Sequence, residues 1–343
     1  MNTSPCKAAV EWDKESLKPV YNPEGEFYCY APALIRENGQ DIVLACQNAR
    51  PGVIRDELIL LRPGADGSAT TRSILAGGAG SAWDSFHVCD PSVVSGSFGF
   101  RGDKYAHALF YLGNDADASI NNQVGVAFSN TWEGPWHRLP NPLVASAPGG
   151  GWGVGQPSAV YDGQGRLLLF YTKEIPWTYG YVREIDLRDA DEPRPGAEHP
   201  LPAGGVRTTS GRADYWNNFD VAYDSSRDRF LAIRERHPYP RDEPNHISDS
   251  LEILSIRAAS LFKPDAAWQV EGRLSPAVTG HPRNHNACLE RTARGALPTP
   301  GRIRVLFSTG CAGAGCRGKN PLWTYDLWEI SGSVVPAEPE PSR

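Results

Sequence analysis

The chain is a succession of short apolar stretches bounded by glycine, proline or asparagine, and one stretch with a polar residue near its start recurs. Its copies are about sixty residues apart, which indicates an internal repeat. They read YCYAPALI, HVCDPSVV, GVGQPSAV, NNFDVAY and RNHNACL, at residues 28–35, 87–94, 153–160, 217–223 and 283–289.

A turn and two further apolar stretches follow each copy. The second stretches include HALFYLG and RFLAIRERH, and lie at 41–47, 107–113, 166–174, 229–237 and 302–310. The third stretches lie at 56–61, 122–129, 180–187, 249–256 and 322–330. Less regular segments with tryptophan come next, so each unit contains about four antiparallel strands. Five such units predict an all-β fold, the five-bladed β-propeller.

The repeat also predicts the domain organisation. We expect a single propeller over 28–332, preceded by a lead-in segment, 1–27, that helps to close the ring, and followed by a disordered tail, 333–343. The predicted blades lie near 28–86, 87–150, 151–215, 216–280 and 281–332.

Composition supports this class and excludes others. The chain has 35 Gly, 29 Pro, 10 Trp and 13 Tyr, which favours turns and short strands over helices. A net charge of -6 offers no basic surface for nucleic acid. No apolar run approaches the roughly 20 residues of a membrane span. We therefore expect a monomer without a membrane span or a nucleic-acid partner.

The seven cysteines are scattered, without the clustered pairs of a zinc site. They indicate one to three disulfides, with at least one thiol left over, in a secreted or periplasmic protein whose leader has been removed. The alternative is that most of them are small buried apolar residues. They are residues 6, 29, 46, 89, 288, 311 and 316.

Propeller geometry brings the starts of the first strands to one axial funnel. Alignment of the repeats puts the following residues at one equivalent position: Ala31, Asp90, Gln156, Asn218 and His285. Two residues later, and facing the same way, come Ala33, Ser92, Ser158, Asp220 and Ala287. Polar groups at these positions are costly to bury unpaired, so they predict a wet pocket.

Turns between the second and third strands open on the same face. Carboxylates, guanidinium groups, amides and a tryptophan around a depression suit a carbohydrate, whose hydroxyls form hydrogen bonds while its C–H faces stack on aromatic rings. We expect the carbohydrate substrate to be bound by Arg55, Asp56, Asp84, Gln156, Trp177, Asn218, Arg236 and His285.

The second unit resembles a known group of enzymes. CDPSVV, ALFYLG, VGVAFSNTWEGPW and PNPLV are similar to blades of the five-bladed propeller glycosidases, in particular family-43-type arabinanases and xylosidases. The resemblance implies a base Asp, a pKa-tuning Asp and an acid Glu on inner strands, with an axial His near a calcium or water site. Asp90 fits the base or the tuner, and His285 is similar to the axial His. Gln156 departs from the pattern, since no inner strand carries Glu.

We therefore expect a glycosidase with Asp90 as base, Glu174 as acid and Asp220 as tuner, and Asp56 and Asp84 in reserve. No cofactor is required, and a structural calcium at His285 is the one ion that the resemblance allows. The alternative function is a non-catalytic carbohydrate-binding propeller that has lost its acid.

Each assignment also has a structural alternative. Asp90 could fix the turn before Pro91, and Asp220 could pair with Arg234 or Arg236. Glu174 could be an exposed turn residue, Asp56 beside Arg55 a surface pair, and His285 a hydrogen-bonded axial residue instead of a metal ligand. Trp152 and Trp177 could pack under loops.

Overall fold

The computed structural model describes residues 9–335 apart from 65–68, 148, 150, 176 and 319. The prediction of an all-β chain is confirmed: its strands form several mostly antiparallel sheets, and the single α-helix of the described residues spans Pro276–Thr279. Short 3₁₀ turns occupy Ala258–Ser260, Gly313–Cys316 and Pro321–Thr324.

The strands follow the repeat. In chain order they are β1 Ala9–Tyr21; β2 Cys29–Glu37, β3 Gln40–Asn48, β4 Asp56–Pro63 and β5 Ala69–Leu75; β6 His87–Phe100, β7 Asp103–Asn114, β8 Gln123–Ser129 and β9 His137–Arg138; β10 Val154–Tyr161, β11 Leu167–Ile175, β12 Trp177–Asp186, β13 Arg194–Pro195 and β14 His199–Pro200; β15 Asp220–Asp224, β16 Arg229–Glu235, β17 Leu251–Arg257 and β18 Gln269–Leu274; β19 Arg283–Thr292, β20 Arg302–Gly310 and β21 Leu327–Val335. Units one to five are β2–β5, β6–β9, β10–β14, β15–β18 and β19–β21.

The first and last units share one sheet. The order β1-β21-β20-β19-β2-β3-β4-β5 arises because β19 pairs in parallel with β2, and β1 pairs antiparallel with β21. The expected lead-in segment thus supplies an outer strand to the last unit. The expected tail at 333–343 begins inside β21, and its residues 336–343 lie outside the described part. The domain boundaries stay a prediction, as does closure of the units into a ring.

Apolar side chains between neighbouring sheets form the core. One cluster joins units one and two through Leu44, Leu58 and Leu109, and another joins units two and three through Phe110 and Leu169. Further clusters continue from unit three to four and from unit four to five. Strands buried on both faces need apolar residues at consecutive positions, as in ALFYL and LLLFY.

A backbone irregularity marks the start of the inner strands. The equivalent residues of the five units all have positive φ, between 40° and 53°. In units one, two, three and five the antiparallel register also shifts at this point, as in a β-bulge. The residues are Ala31, Asp90, Gln156, Asn218 and Asn286.

This irregularity corrects the alignment of the last repeat. The equivalent residue of unit five is Asn286, not His285, and the residue two positions later is Cys288, not Ala287. A shift of one residue exchanges the two faces of a strand, so the side chain expected in the pocket is turned away from it.

Two disulfides lie within the expected range of one to three. Cys46–Cys89 joins units one and two, and Cys311–Cys316 closes a short loop after β20. Cys29 and Cys288 are free and buried, while residue 6 lies outside the described part. Within the described residues, no helix is long and apolar enough to cross a membrane.

Candidate functional site

A cavity of about 550 Å³ opens where the inner strands begin. Its large aromatic side chains are Tyr28, Tyr30, Trp152 and Tyr325. Its amide side chains belong to Asn114, Asn122, Gln156, Asn217, Asn218 and Asn286, and its carboxylates to Asp56, Asp90 and Asp117. Among the described residues that line it there is no Lys or Arg. Aromatic faces and amides without fixed cations suit a hydroxyl-rich ligand of no negative charge.

The five equivalent residues of the inner strands meet at this site. Ala31, Asp90, Gln156, Asn218 and Asn286 line one small depression beside the main cavity. The sequence prediction that these positions converge is therefore confirmed for four of the five, with Asn286 replacing His285. Asp90 is the only carboxylate among them, and it also lines the main cavity.

Asp90 has the electrostatics of a proton-transfer group. Removal from solvent raises the pKa of its carboxyl from 3.8 to about 7, and the negative charges of Asp56 and Glu235 add to this shift. A hydrogen bond from the backbone of Gln156 acts in the opposite direction. The backbone N–H of Asp90 donates to Cys46 Sγ at 3.0 Å, so the disulfide lies directly beneath it. A carboxyl that titrates near neutral pH suits acid–base catalysis.

Asp56 is the second carboxylate held firmly in the cavity. It begins β4, and it accepts hydrogen bonds from the hydroxyls of Tyr28 and Tyr30, the latter at 3.0 Å. Its backbone N–H donates to His87 Nδ1 at 3.0 Å. It is no surface partner of Arg55, because that guanidinium donates instead to the carbonyls of Ser85 and Phe86.

The amides of the cavity floor form one hydrogen-bonded network. Gln156 Nε2 donates to Asn217 Oδ1 at 3.0 Å and also to Asn218 Oδ1. Gln156 Oε1 accepts from the Thr172 hydroxyl and from the Asn218 backbone N–H, both at 2.9 Å. The Gln156 amide is thus held as both a donor and an acceptor, in the position where an acid was expected.

Glu235 was not found from the sequence. It ends β16, a strand whose seven residues are all buried, and it lies beneath the floor with its carboxylate bonded to Asn218, Tyr239 and the backbone of Asn286. Burial raises the pKa of this carboxyl, and the three hydrogen bonds oppose the rise. A glutamate directly after the apolar run FLAI and Arg234 was the available signal.

The residues expected as acid and tuner are both bonded to other groups of the protein. Glu174 is exposed, accepts from the backbone N–H of Trp152, and does not line the cavity. Asp220 borders the small depression but forms an ion pair with Arg291 at 3.2 Å, not with Arg234 or Arg236 as the alternative expectation had it. Their catalytic roles stay predictions without a supporting contact.

Three other residues that were expected to bind the substrate contact neighbouring groups of the protein instead. Asp84 is buried, accepts from the Tyr111 hydroxyl at 2.8 Å and pairs with Arg138 at 3.0 Å. Arg55 lies over the Phe86 ring, and Arg236 donates to Thr208 O at 3.2 Å. None of the three lines the cavity. The side chain of Trp177 lies outside the described residues.

His285 is a buried hydrogen-bonded residue. Its Nδ1 lies 2.7 Å from Asn286 Oδ1 and its Nε2 lies 3.3 Å from Thr309 O, and burial lowers its pKa to about 4. Both ring nitrogens face oxygens of the protein, so no contact supports the calcium site that the resemblance allowed, and that site stays a prediction. Within the described part, the one cluster of metal-ligand types is Cys46, Cys89 and Asp90, in which the two sulfurs are bonded to each other.

Several solved structures with a similar fold are glycoside hydrolases. A thermostable family-43 glycoside hydrolase superposes with a TM-score of 0.58 at 13% identity, covering 94% of this chain and 98% of that one. Zg3597, a family 117 glycoside hydrolase produced by the marine bacterium Zobellia galactanivorans, gives 0.62 at 10%, with 96% and 91% covered. An alpha-L-arabinofuranosidase from Lactobacillus brevis gives 0.60 at 11%, with 96% and 98% covered.

The chain therefore has the fold of the family 43 and family 117 glycoside hydrolases, which confirms the resemblance drawn from the sequence. No protein-family model matches the sequence, and no curated protein matches it. The similarity is one of fold, and a fold by itself does not determine a function.

Proposed function

We propose that the protein is a glycoside hydrolase that cleaves an oligo- or polysaccharide in the cavity beside Asp90. The observation that carries the proposal is the carboxyl of Asp90, which lines the cavity, is electrostatically coupled to Asp56 and has a pKa of about 7. The shared fold supports it. We also infer that the five units close into a five-bladed propeller, since one residue of each lines the same depression.

Glycoside hydrolysis needs one protonated and one ionised carboxyl group. In the proposed mechanism, protonated Asp90 gives its proton to the glycosidic oxygen as the bond to the anomeric carbon breaks. Asp56, held by two tyrosine hydroxyls, is the ionised partner that activates water or attacks the anomeric carbon. This gives Asp90 the acid's role, where the sequence alone suggested the base.

A non-catalytic carbohydrate-binding propeller is the second candidate. It is favoured by the neutral residues Ala31, Gln156, Asn218 and Asn286 at four of the five inner positions. Its discriminating test is the purified protein against plant, algal and bacterial-wall polysaccharides and aryl glycosides, with product release and binding measured together. Product release supports the enzyme, whereas saturable binding without release supports the binding module. Secretion or periplasmic export stays a prediction, supported by the two disulfides.

The proposed acid sets the direction of the pH dependence. Because the protonated form of Asp90 is the active one and its pKa is about 7, kcat should fall tenfold for each pH unit above about 7. The measurement is kcat from pH 5 to 9 on any substrate that the panel identifies. A rate that rises through pH 7 would contradict the acid's role and return Asp90 to that of the base.

Substitution of the exposed carboxylate should have little effect. Glu174→Gln is expected to change kcat/KM by less than about threefold, because the side chain does not line the cavity and its contact is to the backbone of Trp152. The same assay measures it, with wild type beside it. A loss of a hundredfold or more would restore Glu174 as the acid.

A further inference from the structure

The side-chain NH₂ groups below the cavity floor donate in a series of hydrogen bonds that is directed towards Glu235. They start at Gln156 Nε2, pass through Asn217 and Asn218, and end on the carboxylate of Glu235. On one branch Asn218 Nδ2 donates to Glu235 Oε1 at 2.8 Å. On the other, Asn217 Nδ2 donates to the Tyr239 hydroxyl, which donates to Glu235 Oε2.

Two groups at opposite ends require the same polarity. An ionised carboxylate only accepts hydrogen bonds, so Asn218 has to turn its NH₂ group towards Glu235 and its oxygen towards Gln156. A backbone N–H only donates, so the N–H of Asn218 requires the oxygen of Gln156, which leaves the Gln156 NH₂ group for the two asparagine oxygens. Reversal of the Asn218 or the Gln156 amide would break a hydrogen bond either to the Glu235 carboxylate or from the Asn218 backbone N–H.

We propose that Glu235 is a positioning residue that fixes the orientation of the amides lining the ligand site. It does not line the cavity itself, but three residues bonded directly or through one partner to it do: Asn217, Asn218 and Asn286. The inference rests on the proposed function for its consequence in turnover, whereas the amide orientation is a property of the protein alone.

Protonation of Glu235 is the event that releases this orientation. A neutral carboxyl has to donate one hydrogen bond, and every current partner is a donor to it, so either Asn218 or Tyr239 must reverse. Burial favours this protonation and the charge of His237 opposes it. The remaining titratable groups coupled to Glu235 are Asp90, Tyr215, Tyr239 and Tyr325.

Side-chain amide NMR tests the inference without a ligand. The protein is labelled with ¹⁵N at Asn and Gln side chains in an Asp90→Asn background, which removes the neighbouring titration, and spectra are recorded from pH 4 to 8. Signals of Gln156, Asn217 and Asn218, assigned by single substitution, should move together with one midpoint above pH 4.5. Addition of Glu235→Gln should abolish this common titration, and the control Glu198→Gln, a carboxylate bonded to Tyr171 away from the cavity, should leave it intact.

Tyr239→Phe provides a second route if the glutamine variant does not fold. It removes the hydrogen bond from the Tyr239 hydroxyl to the carboxylate. Because that hydrogen bond lowers the pKa of Glu235, its loss should move the common midpoint up by about one pH unit. Signals that stay fixed across the range, or that titrate equally in Glu235→Gln, would overturn the proposal.

Turnover provides the functional readout. With a substrate from the panel, Glu235→Gln should raise KM about tenfold with a smaller change in kcat, and Glu235→Asp should recover part of the loss because it retains the charge. Equal loss in both variants would indicate a purely structural role. If the wild type hydrolyses nothing, the proposed function fails while the NMR result still decides the role of Glu235.

Discussion

Replacement of Asp90 by asparagine is expected to lower kcat about a thousandfold, with little change in ligand binding. Asparagine has nearly the same shape but cannot transfer a proton, and loss of a general acid typically costs 10²–10⁴-fold. Asp90 is the one carboxyl at the inner positions, and its pKa of about 7 keeps much of it protonated at neutral pH. The measurement is kcat with the best substrate of the panel, beside a binding titration of the same variant.

Asp117→Asn is the matched control, since Asp117 also lines the cavity but is exposed. It should retain at least a fifth of the wild-type rate. If Asp90→Asn keeps more than a tenth of wild-type kcat, Asp90 is not the proton donor and the enzyme mechanism lacks its central group.

The stability of the same variant separates lost chemistry from a lost fold. Folding raises the pKa of Asp90 from 3.8 to about 7, so the wild type should lose free energy of unfolding as pH rises through this window. Asparagine does not titrate, so Asp90→Asn should not show this fall in the free energy of unfolding. Its stability relative to wild type should therefore improve by about 2 kcal/mol between pH 4 and 8, half of the full linkage value because the side chain is partly exposed. Urea unfolding at both pH values measures the difference.

The second large effect is expected at Arg291, whose guanidinium is buried and crosses between units. It forms an ion pair with Asp220 at 3.2 Å and donates to the hydroxyls of Ser92 and Ser158 and to Val221 O, all within 3.2 Å. Arg291→Met removes all of these contacts and leaves a buried carboxylate without its cation. We expect a loss of about 3–5 kcal/mol in the free energy of unfolding, measured by urea denaturation.

Two further variants make this expectation specific. Arg188→Met removes an ion pair whose arginine side chain is 87% exposed, and it should cost less than about 1 kcal/mol. Asp220→Asn combined with Arg291→Met should recover part of the loss, because the unpaired charge is then gone. A cost below about 1 kcal/mol for Arg291→Met alone would mean that the ion pair does not hold the units together.

The repeat pattern predicted part of the site but not all of it. The alternation of apolar stretches predicted the strands, and the recurrence of the CDPS-like segment brought Asp90, Gln156 and Asn218 to one place in the fold. Both predictions depend on local periodicity, which can be recognised from consecutive residues. Asp220, by contrast, aligned correctly, but its ion-pair partner Arg291 lies 71 residues further along the chain, where no local pattern could indicate it.

The amino-acid sequence by itself determined the all-β architecture, the repeat and Asp90 as the charged member of the inner positions. Only the tertiary structure decided that Asn286 replaces His285, because the bulge residue of β19 is fixed by its positive φ and by the pairing with β20, and a one-residue error of alignment exchanges the faces of a strand. It alone brought Tyr28 and Tyr30 to Asp56 and put Glu235 beneath the floor. Such contacts depend on how separate sheets pack, and long-range packing leaves no periodic signal in a single sequence.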